Sequence, residues 1–306
     1  MKNYIKKVPV PLCGVMLGLA ALGNLLQSYG EGIRYACGVL AAFLLILVLL
    51  KLILFPQMIK EDMQNPIMAS VAATFPMALM LLSTYVKPFI GKVSFYIWIL
   101  AIILHVILII YFTMKFMFKI QMPKVFASYF IVYVGIAVAA VTAPAYEQLG
   151  IGAATFWFGF VTLLLLLVLV TVRYVKYKEV PEPAKPLICI YAAPTSLCIA
   201  GYVQSVTPKS RSFLLTMLAL ATVLYVFAII KAIGYLKLKF YPSYAAFTFP
   251  FVISAIASKQ TMACLAKMEQ PLPILKTVVL VETIIAVVFV LYTLIRFMSF
   301  IFSDNK

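Results

Sequence analysis

Apolar and polar positions alternate along this chain in long blocks. Apolar runs of about 20 residues, the length needed to cross a ~30 Å hydrocarbon core, follow one another between short charged or Pro/Gly-rich breaks. We predict an all-α membrane protein in which residues 1–306 form a single transmembrane domain. The ten predicted spans cover residues 8–26, 34–55, 66–86, 93–117, 125–145, 153–173, 186–206, 212–235, 242–262 and 273–300.

The odd and even spans differ in kind. Even spans such as residues 97–111 are continuous and aliphatic, which suits helices that face lipid, whereas odd spans carry Pro, Gly, Ser and Thr. The first span follows basic residues as a signal peptide would, but its prolines and glycines match the later odd spans, so we expect it to be retained. The predicted breaking residues of the odd spans are Gly14, Pro76, Gly135, Pro194 and Pro250.

These breaking residues are spaced 62, 59, 59 and 56 residues apart. A constant period indicates internal repetition, and five helical hairpins of about 60 residues each explain it. We therefore predict five interrupted inner helices, surrounded by five smooth outer helices, around a central pore.

The breaks themselves indicate a transport path. A proline inside a helix leaves the carbonyl four residues earlier without its partner, and such a carbonyl is tolerated in a membrane where it is buried in protein or lines a water-filled cavity. We predict that all five breaking residues line the pore. The alternative is that Pro and Gly only allow close helix packing, as Gly14 and Gly18 in a GxxxG pattern would. The shared period favours the pore.

Composition and charge support a membrane protein that handles anions. The chain is 65% hydrophobic and 11% charged, against about half and about a quarter in soluble proteins. Its net charge of +16 does not indicate nucleic-acid binding, because the Lys and Arg residues are scattered over short loops. Of these 25 residues, 17 lie on the side that holds both termini, which the positive-inside rule makes cytoplasmic. We expect a multi-pass protein of the cell (inner) membrane.

Both predicted pore mouths are positive, with net loop charges of +12 on the cytoplasmic side and +5 on the other. Such mouths concentrate anions. The central parts of the odd spans carry no charged residue, which argues against a carrier with a tight charged site, because conduction requires weak binding.

Catalytic and metal-binding patterns are missing from the sequence. The chain has one His and five Cys, with no CxxC, HExxH or GxSxG pattern, so we predict no enzyme activity, metal or cofactor. Two ionisable residues, His105 and Glu282, lie inside even spans and are candidates for proton coupling. They leave open a proton-coupled carrier as the alternative to a channel. They could equally be satisfied at a helix interface, or pair with each other, and a structural or signalling role for the chain also stays open.

Several motifs occur in order along the odd spans: VPVPLCGVMLGLAALGN, NPIMASVAATFPMALML, FIVYVGIAVAAVTAPA and YAAFTFPF. Together they resemble the tellurite-resistance/dicarboxylate transporter family, which includes bacterial TehA proteins and the slow anion channels of plant guard cells. The resemblance implies a homotrimer in a lipid bilayer, with ten helices around a separate pore in each protomer. It also implies that a phenylalanine just before the break of the ninth helix blocks the pore, which here is Phe249.

Helix geometry adds a constraint on this phenylalanine. At about 100° per residue, Phe247 and Phe251 share a face and Phe249 points the opposite way, so the first two should pack outward if Phe249 faces the axis. Pro250 would then bend the helix so that the ring of Phe249 lies across the pore. We predict a small-anion channel gated by Phe249, with a carrier of dicarboxylate, sulfite or tellurite-type oxyanions as the alternative. The sequence does not choose among these anions, chloride and nitrate.

Overall fold

The computed structural model describes residues 2–303, and within this range ten helices are long and apolar enough to cross a membrane. They are α1 (Leu12–Tyr29), α2 (Glu31–Leu54), α3 (Pro66–Ile90), α4 (Val93–Met117), α5 (Tyr129–Tyr146), α6 (Leu149–Lys176), α7 (Glu182–Ser205), α8 (Arg211–Tyr235), α9 (Pro242–Lys267) and α10 (Ile274–Phe302). Each overlaps one predicted span, which confirms the ten-helix fold. Short helices Lys2–Lys7 and Pro56–Asp62 precede α1 and α3.

Burial separates the helices into an inner and an outer set. In the odd-numbered helices, 67 to 89% of the most apolar stretch is buried, against 22 to 39% in the even-numbered helices. The inner helices pack in sequence order, α1 on α3, α3 on α5, α5 on α7 and α7 on α9, and α9 returns to α1. Each outer helix packs on the inner helix that precedes it. The inner set is therefore a closed ring inside a partial belt of aliphatic helices.

Four inner helices change their winding part-way. The divisions fall between Pro66–Ala72 and Thr74–Ile90 in α3; among Tyr129–Tyr133, Val134–Ala137, Val138–Thr142 and Ala143–Tyr146 in α5; between Glu182–Ala192 and Ala193–Ser205 in α7; and between Pro242–Phe247 and Phe249–Lys267 in α9. The first segments of α7 and α9 are 3₁₀ helices, as is the stretch of α5 that contains Gly135. The outer helices keep α-helical winding, except for a π turn at the end of α4.

The three prolines stand just after these breaks. Pro194 and Pro250 are the second residues of their α-helical segments, and Pro76 is the third residue of Thr74–Ile90. In the first turn of a helix the N–H that proline lacks would have no partner anyway, so each proline starts a new α-helix rather than kinking a continuous one.

The prediction that Gly14 breaks the first span is wrong. Gly14 is the third residue of the α-helix Leu12–Leu26, and the break lies earlier, at residues 8–11. Pro9 and Pro11 in this stretch explain the difference, because both lack a backbone N–H. Gly14 has a packing role instead: an added Cβ would lie 3.2 Å from the Cβ of Ala245 on α9.

Hydrogen bonds between neighbouring inner helices recur at similar separations along the chain. Several side-chain bonds join residues 58 to 65 positions apart, which is close to the predicted repeat length; among them are Ser70 to Ser128, Ser196 to Ser254, Tyr85 to the carbonyl of Ala20, and Ser205 to the carbonyl of Ala140. Inside a membrane each such bond satisfies a group that lipid could not. They hold successive hairpins in matching positions around the ring.

Candidate functional site

Two cavities lined by residues of the described range 2–303 lie inside the ring of inner helices. The first has a volume of about 290 Å³, and all five inner helices contribute to its wall. The wall residues are mainly apolar, with Asn65, Thr74 and Ser243 as the polar exceptions, and none of the described residues that line it is charged. An ion in this cavity would therefore meet weak dipoles rather than a fixed charge.

The second cavity lies beyond the first and has a volume of about 270 Å³. It too is lined by all five inner helices, including Asn24 of α1 and Lys259 and Gln260 of α9. Two residues belong to both walls, Leu197 of α7 and Phe249 of α9. The walls of the two cavities therefore meet at these two apolar side chains.

The backbone beside Phe249 is held against α1. Thr248 has φ −100° and ψ −94°, where the 3₁₀ segment of α9 gives way to its α-helix. Its hydroxyl lies 2.7 Å from the carbonyl of Ala245 and 3.0 Å from that of Gly14. Gly18 faces the same point, since an added Cβ would lie 2.6 Å from the Cβ of Thr248 and 3.1 Å from the nitrogen of Phe249. The absence of a side chain at residue 18 allows this approach.

The neighbouring phenylalanines point away from the cavities. Phe251 stacks on Phe289 of α10 with ring centroids 4.8 Å apart, and Phe247 lies 5.7 Å from the same ring. Both are fully buried, and neither lines a cavity. Phe247 and Phe251 therefore anchor α9 to α10, while Phe249 occupies the opposite face.

The structure brings most of the predicted pore-lining residues together. Gly14, Gly135, Pro194 and Pro250 line the first cavity. Pro76 does not line either cavity; its neighbours Thr74 and Met77 do so in its place. The break in α3 falls at Ala73. In the helix that follows it, Thr74 and Met77 face the cavity and Pro76 does not.

His105 lies behind the ring rather than in a cavity. Its ring is fully buried, and its Nε2 donates to the carbonyl of Val132 at 2.9 Å. That carbonyl precedes the 3₁₀ stretch of α5, and an added Cβ on Gly135 would lie 3.1 Å from Cε1 of His105. This geometry gives His105 a structural contact with the interrupted helix, although its Nδ1 has no hydrogen-bond partner in the described part of the chain.

Glu282 also lies behind the ring. It is 5% exposed on α10, close to Ser258 of α9 and Tyr225 of α8, and its Oε2 has no partner among residues 2–303. Neither Glu282 nor His105 lines a cavity, and no ion pair within 4 Å joins them. The hypothesis that the two residues pair is therefore wrong.

Sequence reasoning missed Leu197 and Lys259. A helical stripe on α9 indicates the same wall, since Phe249, Ile253, Ile256 and Gln260 follow a period close to 3.6 and all line the second cavity, but Lys259 stands beside this stripe rather than in it. The net loop charge of +5 on the side opposite the termini includes Lys259, although this residue lies near the end of the predicted span 242–262; the structure places it in the cavity wall. Leu197 lies one turn after Pro194 and had no distinguishing signal.

Residues 7–298 match the family described as voltage-dependent anion channel (SLAC1). The chain belongs to this family. It is the tellurite-resistance/dicarboxylate transporter family that the motifs resembled, so that identification is confirmed. The comparison with curated proteins gave no match.

Membership of the voltage-dependent anion channel family agrees with the ten-helix ring and makes the chain a multi-pass membrane protein of an anion channel and transporter family. The matched region includes all of α1 to α9 and most of α10, so both cavities lie within it. Which anion passes, and along which side chains, depends on the residues of this particular chain.

Proposed function

We propose that the chain is a small-anion channel whose path runs through the ring of inner helices and is closed by Phe249. The observation that carries the proposal is that the two cavity walls share two apolar side chains, the ring of Phe249 and Leu197, which we propose form an apolar partition between the cavities. An apolar constriction of this kind stops ions because they would have to lose water without gaining a partner. The uncharged first cavity supports passage rather than tight binding.

The test is a current measurement on the purified protein in planar bilayers, with a chloride or nitrate gradient against a large impermeant anion. A channel gives a reversal potential that follows the anion gradient alone. Wild-type protein is expected to be nearly silent if Phe249 closes the path, so the same gradient is applied to an opened variant. A cation-dependent reversal potential would contradict the proposal.

A proton-coupled carrier is the second candidate function, supported by the unpartnered atoms of His105 and Glu282. Because both residues lie outside the cavities, we expect anion flux in Glu282→Gln and His105→Gln to keep the wild-type response to a proton gradient. Flux into liposomes, measured with and without that gradient, tests this. A carrier would need the gradient, and Glu282→Gln or His105→Gln would abolish its uptake.

Two further proposals concern the number of chains in the assembled protein and the side of the membrane on which its termini lie. We propose a homotrimer with one pore in each protomer, supported by the family resemblance and by the exposed aliphatic residues of the outer helices. Native mass spectrometry in detergent measures the assembly directly, and a monomer would contradict it.

We also propose that both termini are cytoplasmic in the cell membrane, supported by the distribution of Lys and Arg. Labelling of single introduced cysteines in the loops tests the orientation, because all five native cysteines are buried.

A further inference from the structure

Lys259 is the one charged residue among the described residues that line the two cavities. It belongs to the wall of the second cavity, ten positions after Phe249 on α9. At 1.5 Å per residue this places it about 15 Å along the helix from the partition. The cavity thus has a positive charge at some distance from the apolar barrier.

The ammonium group of Lys259 is fixed in place but not neutralised. Its Nζ donates to the carbonyl of Leu25 at 2.8 Å and to Oγ of Ser28 at 2.6 Å, both at the end of α1. An ammonium has three N–H donors, so one remains for a ligand. Within residues 2–303 no carboxylate lies within 4 Å of it, since the ion pair found there joins Arg34 to Glu31.

Two amide side chains in the same wall add polar groups. Asn24 accepts a hydrogen bond from Nε of Arg34 at 3.1 Å, which occupies its carbonyl oxygen and leaves its NH₂ group available. Gln260 has a buried Oε1 without a partner, and a half-turn of its amide would present NH₂ to the cavity instead. The remaining wall is apolar, with side chains such as Leu81, Val138 and Ile256.

We propose that Lys259, with the amides of Asn24 and Gln260, forms a binding site for one monovalent inorganic anion in the second cavity. The inference rests on the proposed channel function and deepens it by assigning a residue that selects for anions. A single charge matches one monovalent anion, and the apolar remainder of the wall offers nothing to balance a second negative charge. The anion accepts a hydrogen bond from the third N–H of Lys259 and is held in the second cavity, on one side of the Phe249 partition.

The test compares Lys259→Gln with Lys267→Gln, a matched control that removes an exposed lysine of the same helix that does not line either cavity. Both are measured as currents in the Phe249→Ala parent. At about 20 mM chloride, where screening is weak, Lys259→Gln is expected to conduct at least about threefold less than the parent because the local anion concentration falls. At about 1 M chloride the difference should nearly vanish, since the Debye length shrinks to about 3 Å. Lys259→Arg should restore the current.

A binding measurement on closed protein gives a readout without conduction. Chloride should raise the thermal midpoint of wild-type protein and Lys267→Gln above that in gluconate, and this increment should disappear in Lys259→Gln. Gln260→Ala is a second variant that leaves the Lys259 hydrogen bonds in place, and it should reduce the increment. If Lys259→Gln and Lys267→Gln behave alike in a parent that conducts anions, the binding site is overturned and the channel stands. If the parent passes no anion at all, the channel proposal fails and the binding site falls with it.

Discussion

Replacing Phe249 by alanine is expected to raise the anion conductance of each protomer about tenfold or more. The substitution removes the ring of Phe249, which belongs to both cavity walls together with Leu197. Under the proposed gate, the two cavities then join into one path. Each reduction of about 1.4 kcal/mol in a barrier gives a tenfold faster crossing, and an ion that no longer has to pass a dry aromatic contact gains at least that much. Single-channel or macroscopic currents under a chloride gradient measure the change.

The neighbouring phenylalanines provide controls of identical chemistry. Phe251→Ala removes a phenylalanine ring two positions further along α9. This ring stacks on Phe289 and does not line a cavity. It should leave the conductance near the wild-type level and lower the free energy of unfolding by about 3–5 kcal/mol. The gate assignment would be refuted if Phe251→Ala opened the protein as much as Phe249→Ala, or if Phe249→Ala stayed silent.

The second large effect is expected from Gly18→Ala at the contact between α1 and α9. The new methyl carbon would lie 2.6 Å from the Cβ of Thr248 and 3.1 Å from the nitrogen of Phe249, so one helix must move. Overpacking of this kind costs about 1–3 kcal/mol. We expect a lower thermal midpoint in detergent and a displaced partition between the cavities.

The same glycine-to-alanine change at Gly234 is expected to have a different effect on stability. Gly234 is an exposed residue in the last turns of α8, and an added Cβ there meets nothing within 4 Å. Alanine should therefore leave stability unchanged or raise it by up to about 1 kcal/mol, as expected for a helical glycine. Equal midpoints for the two variants would show that the close approach at Gly18 is not required.

Much of this fold could be predicted from the sequence because the membrane imposes simple rules. A segment must be apolar over about 20 residues to span the bilayer, so ten spans could be counted directly. The inner and outer sets could be separated because irregular backbone is tolerated only away from lipid. The position of a break is less certain: Pro9 and Pro11, rather than Gly14, interrupt the first span.

The site was harder to predict than the fold because it depends on how each helix is rotated. Phe249 was predicted through the family resemblance, with the alternation of Phe247, Phe249 and Phe251 as a local constraint. Leu197 is one leucine among many, and only its neighbours in space distinguish it. Lys259 was counted as a loop charge because its position in the chain is near a span end, while its contacts with Leu25 and Ser28 depend on α1.

The contacts that close the ring also set the order in which the protein can mature. Thr248 bonds to the carbonyl of Gly14, and Lys259 bonds to the carbonyl of Leu25, each across 234 residues of chain. At about 5–20 residues per second of synthesis, the first inner helix must wait roughly 10 to 50 seconds in the membrane before its partner exists. Until then Gly18 on this helix lacks its contact with Thr248 of α9. Phe249 lies on α9, the helix that closes the ring, so under the proposed function the anion path and its gate are completed together.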